Sequence, residues 1–125
     1  MMLKGKTAVI TGGSRGLGEK IAYKLASMGA DIAIIDIGSP ALSQGVCSKC
    51  RDEYNVKAAS YACDVSNFEE VKETVAKIKE DFGTVHILVN NAGITRDGLI
   101  AMMKEEDFDK VIAVNLKGAF NMIRH

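Results

Sequence analysis

The chain has 125 residues, of which 47% are hydrophobic and 26% charged, and its formal net charge is zero. This composition is typical of one globular domain with a real core. The basic residues form no block, and no apolar run approaches the roughly 18 residues of a membrane span, so nucleic acid and membranes are excluded as expected partners.

Strand and helix patterns alternate along the chain. The strands are short apolar runs, which are typical of parallel sheets covered on both faces, and the helices repeat apolar residues at i, i+4 spacing. The predicted strands span 7–11, 31–35, 58–62 and 85–89, and the predicted helices span 15–28, 41–54, 66–82 and 105–125.

Local signals refine this pattern. Pro40 is expected in a loop, Ser66 and Glu69 form a predicted capping box for the third helix, and 95–103 is expected to be irregular or a short turn. The residues predicted to face the core are Leu17, Ile21, Leu25 and Met28 in the first helix, Leu42, Val46, Cys50 and Tyr54 in the second, and Val71, Val75, Ile78 and Phe82 in the third.

Four βα units in series predict a parallel sheet with right-handed crossovers. We expect a Rossmann-like, doubly wound α/β fold with strand order 3-2-1-4 and a ligand site between the first and fourth strands. Such sheets normally have more strands, and the fourth helix pattern runs to the last residue. Residues 1–125 are therefore expected to be a truncated half-domain.

The turn after the first strand reads Thr-Gly-Gly-Ser-Arg-Gly-Leu-Gly, from Thr11 to Gly18. Glycines allow a sharp turn and a close approach to a ligand, and the N–H groups that begin the next helix favour a phosphate. The spacing Gly12-x3-Gly16-x-Gly18 differs from the commoner G-x-G-x-x-G. Between a strand and a helix it predicts a dinucleotide site, with a simple tight turn as the alternative.

Acidic residues follow the second and third strands. Asp36 stands 18 residues after Gly18, where a carboxylate accepts hydrogen bonds from the adenosine ribose. Because it would repel a 2′-phosphate, NAD(H) is favoured; a solvated loop acid is the alternative. Arg15 could contact a 2′-phosphate and keeps NADP(H) open. Asp64 is expected either to accept from the adenine amino group or to cap local backbone.

Together these features resemble the short-chain dehydrogenase/reductase family. The resemblance covers the whole chain, and its most specific motif is Asn90-Asn91-Ala92-Gly93. Segment 90–118 looks most like the 3-oxoacyl-[acyl-carrier-protein] reductases of fatty acid biosynthesis. The resemblance implies an NAD(P)-dependent oxidoreductase that transfers a hydride between its cofactor and a ketone, an alcohol or a 3-oxoacyl thioester.

The resemblance also implies roles for individual residues. Asn115 matches the family's catalytic asparagine, which interrupts a helix and orders a water in a proton relay; a helix-surface amide is the alternative. The implied cofactor contacts are Gly12, Ser14, Arg15, Gly16, Leu17 and Gly18 for the pyrophosphate and nearby groups, Asp36 and Ile37 for the ribose, Asp64 and Val65 for the adenine, and Asn91, Ala92, Gly93 and Val114 for the adenosine and nicotinamide side.

The rest of the family's catalytic set is missing. Its chemistry needs a serine and, further on, a tyrosine four residues before a lysine that lowers the tyrosine pKa. Other residues stand at that distance here: Ser27 after Tyr23, Ala58 after Tyr54 and Val65 after Tyr61. We therefore expect this chain alone to lack activity. The other interpretation is a dinucleotide-binding or self-assembling fragment without catalysis.

Two features predict a homo-oligomer. Strand 85–89 would form a free sheet edge, and helix 105–125, which the resemblance places in an oligomer interface, would lack part of its cover. The apolar positions of this helix are Phe108, Val111, Ile112, Leu116, Phe120 and Ile123.

The three cysteines point to a reducing compartment. An odd number does not fit a disulfide framework, and the first six residues leave no room for a signal peptide, so we expect a cytoplasmic protein. Cys47 and Cys50 form a lone CxxC inside a predicted helix, and no metal is expected because the only other candidates, Cys63, His86 and His125, lack ligand spacing. Cys50 is expected to face the core.

Overall fold

The computed structural model describes residues 2–38, 40–93 and 104–125, and strands and helices alternate along them. The predicted irregular segment 95–103 lies outside the described residues. The elements are the strands β1 (Thr7–Thr11), β2 (Asp31–Asp36), β3 (Ala58–Ala62) and β4 (Ile87–Asn90), and the helices α1 (Gly16–Ser27), α2 (Pro40–Tyr54), α3 (Phe68–Phe82), α4 (Glu105–Ile112) and α5 (Gly118–Arg124), with a π-helical turn (Ala113–Lys117) between α4 and α5.

The four strands form one parallel sheet in the order β3-β2-β1-β4, which confirms the predicted topology. Ile10 pairs with Ile34 of β2 on one side and with Val89 of β4 on the other. The direction of winding reverses between β1 and β4, and ligands of open α/β sheets bind outside the carboxyl ends of the strands at this point.

The core has one layer on each face of the sheet, because successive strand residues point to opposite faces. Ile10, Ile32 and Ile34 belong to one buried cluster with residues of α1 and α2. Val9 and Ile35 belong to the other, with residues of α3 and α5. Helices therefore cover both faces, as a doubly wound fold requires.

The predicted buried faces of α1 and α2 are partly wrong. Leu17 is 67% exposed and Leu42 is 47% exposed. In α1 the buried residues are Gly18, Ala22 and Ala26, which follow one another at i, i+4 spacing. Small side chains on this line let the helix axis lie close to the sheet.

Several predicted boundaries also differ. Pro40 begins α2 instead of lying in a loop, because its fixed φ and missing N–H suit the first helical turn. Asn67, and not Ser66, caps α3: its Oδ1 accepts from the N–H of Glu70 at 3.0 Å. β4 runs from Ile87 to Asn90 instead of 85–89, and the continuous helix predicted at 105–125 is interrupted by the π-helical turn.

The cysteines are buried in the core, and His86 is hydrogen-bonded to the backbone. Cys47, Cys50 and Cys63 are buried free thiols, and burial raises the pKa of Cys50 to about 11. His86 Nδ1 accepts from the N–H of Thr7 at 3.0 Å. Within the described ranges, no group of three metal-ligating side chains could hold an ion, and no helix has the length and apolar character of a membrane span.

Candidate functional site

A cleft of about 590 Å³ lies where all four strands end, and most of the predicted binding residues line it. The cleft is lined by these predicted residues: Gly12, Arg15, Gly16, Asp36, Ile37, Asp64, Val65, Asn91, Ala92, Gly93 and Val114. It is also lined by five residues that were not predicted to bind a ligand: Ile35, Cys63, Ser66, Lys110 and Ala113. The predicted residues that do not line it are Ser14, Leu17, Gly18 and Asn115.

The glycine turn presents open backbone to the cleft. Gly16 has a φ of +59°, and a Cβ built on it would meet no atom within 4 Å. Arg15, the N-cap residue of α1, makes no side-chain capping bond, whereas Asn67 caps α3. In the described part of the chain, no N-cap side chain bonds to the first N–H groups of α1, and such a helix end binds anions such as phosphate.

Gly18 serves packing inside the protein. A Cβ at Gly18 would lie 2.2 Å from the carbonyl oxygen of Gly12 and 2.6 Å from Nδ2 of Asn91. Only glycine therefore allows the first turn of α1 to lie against the end of β1. Gly18 therefore fixes the position of the glycine turn that lines the cleft.

Thr11 and Asn91 join the ends of β1 and β4, and we call this pair the Thr11 clamp. The Thr11 hydroxyl oxygen accepts from the N–H of Asn91 at 3.1 Å and from that of Ala92 at 2.9 Å, and it donates to the carbonyl of Val89 at 3.4 Å. Asn91 Nδ2 donates to the carbonyl of Gly12 at 3.1 Å. The clamp fixes the Asn-Ala-Gly segment directly beside the glycine turn.

Asp36 is tied to the glycine turn. Its Oδ2 accepts from the hydroxyl and the N–H of Ser14, and its Oδ1 accepts from the N–H of Gly38 at 2.8 Å. Burial acts to raise the Asp36 pKa, but these donors and the charge of Arg15 outweigh it, so the pKa lies below its usual value. Among the described residues, these bonds occupy three of the roughly four acceptor positions of the carboxylate.

Asp64 caps local backbone, which is one of the two roles predicted for it. Its Oδ1 accepts from the N–H of Ser66 at 3.0 Å and from the Ser66 hydroxyl at 2.6 Å. Its own N–H donates to Oε1 of Glu70 at 3.0 Å. These bonds order residues 63–67, here called the Val65 loop, along one side of the cleft.

Asn115 lies in the π-helical turn between α4 and α5, so the helix is interrupted where the family resemblance implies it. Its side chain is exposed, and a Cβ on Gly93 would lie 3.2 Å from its Oδ1. π-Helical turns insert one extra residue and are frequent at functional sites. The turn places Asn115 beside the cleft segment that follows β4.

Two tyrosines have partners away from the cleft. Tyr23 donates to Oε2 of Glu19 at 2.8 Å, and Tyr61 donates to Oδ2 of Asp81 at 2.6 Å. Burial and these carboxylates raise the pKa of both tyrosines. Neither hydroxyl is placed for proton transfer in the cleft.

Sequence reasoning missed two features of the site. The glycine motif assigns no bonding role to Thr11, although a hydroxyl at the end of a buried strand is a signal for such bonding. Lys110 brings a cation to the cleft and stands four residues before Val114, on the same helix face.

The fold and the cleft define a doubly wound α/β protein with an open cleft at its topological switch point. The sequence pattern of the short chain dehydrogenase family matches residues 6–125. The chain belongs to this family, as its motifs predict.

Similar proteins support this assignment. The 3-oxoacyl-[acyl-carrier-protein] reductase FabG of Staphylococcus epidermidis is 41% identical over 119 residues, covering 95% of this chain and 48% of that protein. FabG of Thermotoga maritima is 42% identical over 122 residues, covering 98% and 49%. The crystal structure of NAD⁺-bound xylitol dehydrogenase has a TM-score of 0.93 and 32% identity, covering 99% and 47%. The chain thus spans about half the length of these relatives.

Proposed function

We propose that the cleft binds a nicotinamide dinucleotide, with NAD(H) preferred to NADP(H). The observation that carries this proposal is the meeting of an uncapped helix start, open glycine backbone at Gly16 and the Asp36 carboxylate in one cleft. The NAD⁺-bound xylitol dehydrogenase, to which the chain is similar, supports the same class of ligand.

The described residues suit the parts of such a cofactor. The N–H groups at the start of α1 would hold the pyrophosphate. Asp36 would accept from the adenosine ribose through its remaining acceptor position, and its negative charge would oppose a 2′-phosphate. Arg15, beside it, is the group that would favour NADP(H). Ile37 would frame the ribose and the Val65 loop the adenine.

The nicotinamide ring of a bound cofactor supplies a hydride. The reaction that we propose for the protein's active form is the reduction of a ketone or a 3-oxoacyl thioester, or the reverse oxidation of an alcohol. Within it, Asn115 would order a water for proton transfer. The 125 residues contain no Tyr-x-x-x-Lys, so this chain by itself is expected to bind the cofactor without turnover.

Calorimetry with NADH and NADPH tests the binding site. NADH should bind more tightly than NADPH, and Asp36→Ala should weaken NADH binding and reduce the difference between the two cofactors. Asp52→Ala is the matched control, because it removes the same charge from an exposed position of α2. Equal affinities for both cofactors, or equal effects of the two substitutions, would contradict the role of Asp36.

The second candidate function is self-association, which an exposed apolar stripe favours. Ile112, Leu116, Phe120 and Ile123 are 41%, 65%, 58% and 72% exposed, and they recur every three or four residues from α4 to α5. β4 is also the outer strand of the described sheet. We propose that two or more copies associate through this stripe, the β4 edge or both.

Light scattering tests the assembly at tens of micromolar protein. The chain should form a dimer or larger species, and Leu116→Glu should dissociate it if the stripe is the interface. Leu42→Glu is the control, since Leu42 is also exposed but lies on α2. A monomeric wild-type chain would refute self-association, and an oligomer that survives Leu116→Glu would assign it to the β4 edge.

A further inference from the structure

Helix α5 touches the Val65 loop at two points that none of the cofactor roles explains. A Cβ on Gly118 would lie 2.6 Å from Cγ2 of Val65 and 3.2 Å from its Cβ. Nδ2 of Asn121, which is fully buried, donates to the carbonyl oxygen of Val65 at 2.8 Å. Because Gly118 and Asn121 are three residues apart, they lie on the same face of the helix.

The two contacts act in different ways. Gly118 has no side chain, so the backbone of α5 lies directly against Val65, and β-branched valine has little rotamer freedom with which to withdraw. The amide of Asn121 gives the Val65 carbonyl its partner inside the protein. Together, Gly118 and Asn121 form what we call the α5 anchor of the loop.

The loop held by the anchor is a wall of the cleft. Val65 lines the cleft and also lines a small cavity with Asn115 and Gly118. From its other side the loop is held by Glu70 of α3, which accepts from the N–H of Asp64. The anchor is therefore the link between this wall and the π-helical turn that carries Asn115.

We infer that Gly118 and Asn121 are positioning residues that fix the Val65 loop as the adenosine wall of the cleft. This inference rests on the proposed dinucleotide site for the nature of the ligand. The anchor makes the position of the loop depend on α5. The adenosine wall of the cleft therefore keeps a fixed distance from the π-helical turn that carries Asn115. Neither residue needs to touch the cofactor.

Asn121→Leu separates positioning from stability. Leucine has a similar volume and removes the donor to Val65. It also removes the buried Oδ1 of Asn121, which has no partner among the described residues. Leaving the buried Val65 carbonyl without its donor destabilises the chain, and loss of the buried Oδ1 offsets part of that cost. The variant should therefore stay folded while its loop loses one hydrogen bond.

Hydrogen exchange of the ligand-free 125-residue chain gives the first readout. The amides of Ser66 and Asn67 are bonded to Asp64 within the loop. In Asn121→Leu they should exchange about three to ten times faster, the factor that corresponds to one net hydrogen bond. Val46→Ala is the control, because Val46 is buried in α2 and belongs to the core cluster on the other face of the sheet.

Binding of 5′-AMP by calorimetry gives the second readout. Asn121→Leu should weaken 5′-AMP binding by a similar factor, and Gly118→Ala should weaken it too by displacing Val65. Val46→Ala should leave the affinity unchanged. Unchanged loop exchange in Asn121→Leu, equal acceleration in Val46→Ala, or faster exchange with unaltered 5′-AMP affinity would each overturn the inference. If the wild-type chain binds neither 5′-AMP nor NADH, the proposed function fails, and loop exchange still decides whether the anchor holds the loop.

Discussion

Replacing Gly18 with alanine tests the contact that packs α1 against the end of β1. The added Cβ would lie 2.2 Å from the carbonyl oxygen of Gly12, a backbone atom that cannot rotate away. It would also lie 2.6 Å from Nδ2 of Asn91, which donates to that same carbonyl. The helix and the strand must therefore separate, or the hydrogen bond must break.

The expected loss of stability follows from three effects. Overpacking a tight contact costs about 1–3 kcal/mol, and loss of the Asn91–Gly12 hydrogen bond costs about 1 kcal/mol. The higher helix propensity of alanine offsets up to about 1 kcal/mol of this loss in the free energy of unfolding. The net expectation is a decrease of about 1–3 kcal/mol in the free energy of unfolding, together with weaker NADH binding because the turn moves.

Gly45→Ala is the matched control. Gly45 also lies within a helix, α2, but a Cβ there would meet nothing within 4 Å. This change should stabilise the chain by about 1 kcal/mol, which raises the melting temperature by about 4 °C in a chain of this size. Urea and thermal unfolding of both variants measure the difference. A Gly18→Ala variant as stable as wild type, or a Gly45→Ala variant destabilised to the same extent, would refute the packing argument.

Two further predictions concern the groups that line or join the cleft. Thr11→Val keeps the shape of a buried side chain but leaves the N–H of Ala92 without its acceptor, while the N–H of Asn91 keeps the carbonyl of Val89, so urea unfolding should show a loss of about 1–3 kcal/mol. Asp36 has a lowered pKa in the folded chain, so its stabilising effect is present above the unfolded pKa of about 3.9 and is lost as the pH falls through the folded value. Asp36→Asn should therefore reduce the loss of stability in acid below about pH 4, as measured by melting temperature against pH; an unchanged acid profile would contradict this.

The strands and their order could be predicted because their signals are local. Each strand is a short apolar run between helical patterns, and the βα alternation leaves few permitted topologies. The bounds predicted for β1 and β3 are confirmed. The bounds of β4 were less clear, because the apolar run begins at Val85 whereas pairing with β1 begins at Ile87.

The helix faces were harder to predict, because the hydrophobic pattern gives most weight to large side chains. Leu17 fits the i, i+4 pattern of α1, yet it is exposed. The buried line runs through Gly18 and Ala22, whose small size allows the close approach to the sheet. A sequence pattern therefore shows reliably that a helix is amphipathic. It shows less reliably which of two neighbouring i, i+4 rows of side chains faces the sheet.

The cofactor-binding positions could be placed on the strand ends, but the contacts among them could not. The sequence gives no sign that Ser14 donates to Asp36, or that Asn121 donates to the carbonyl of Val65, 56 residues away. Such bonds depend on the three-dimensional register of several elements. The motif predicts which residues surround a ligand, whereas the structure shows what holds those residues in place.

These contacts link ligand binding to the pairing of β1 and β4. Thr11 and Asn91 are 80 residues apart in sequence, yet their bonds hold the two sides of the cleft together. β4 pairs only with β1 in the described sheet, so this clamp and the β1–β4 ladder fix the Asn-Ala-Gly segment beside the glycine turn. A ligand that bridges the two sides must favour the paired state, since binding to the folded form stabilises it by mass action. The cofactor would thus stabilise the outer strand of the sheet as well as occupy the cleft.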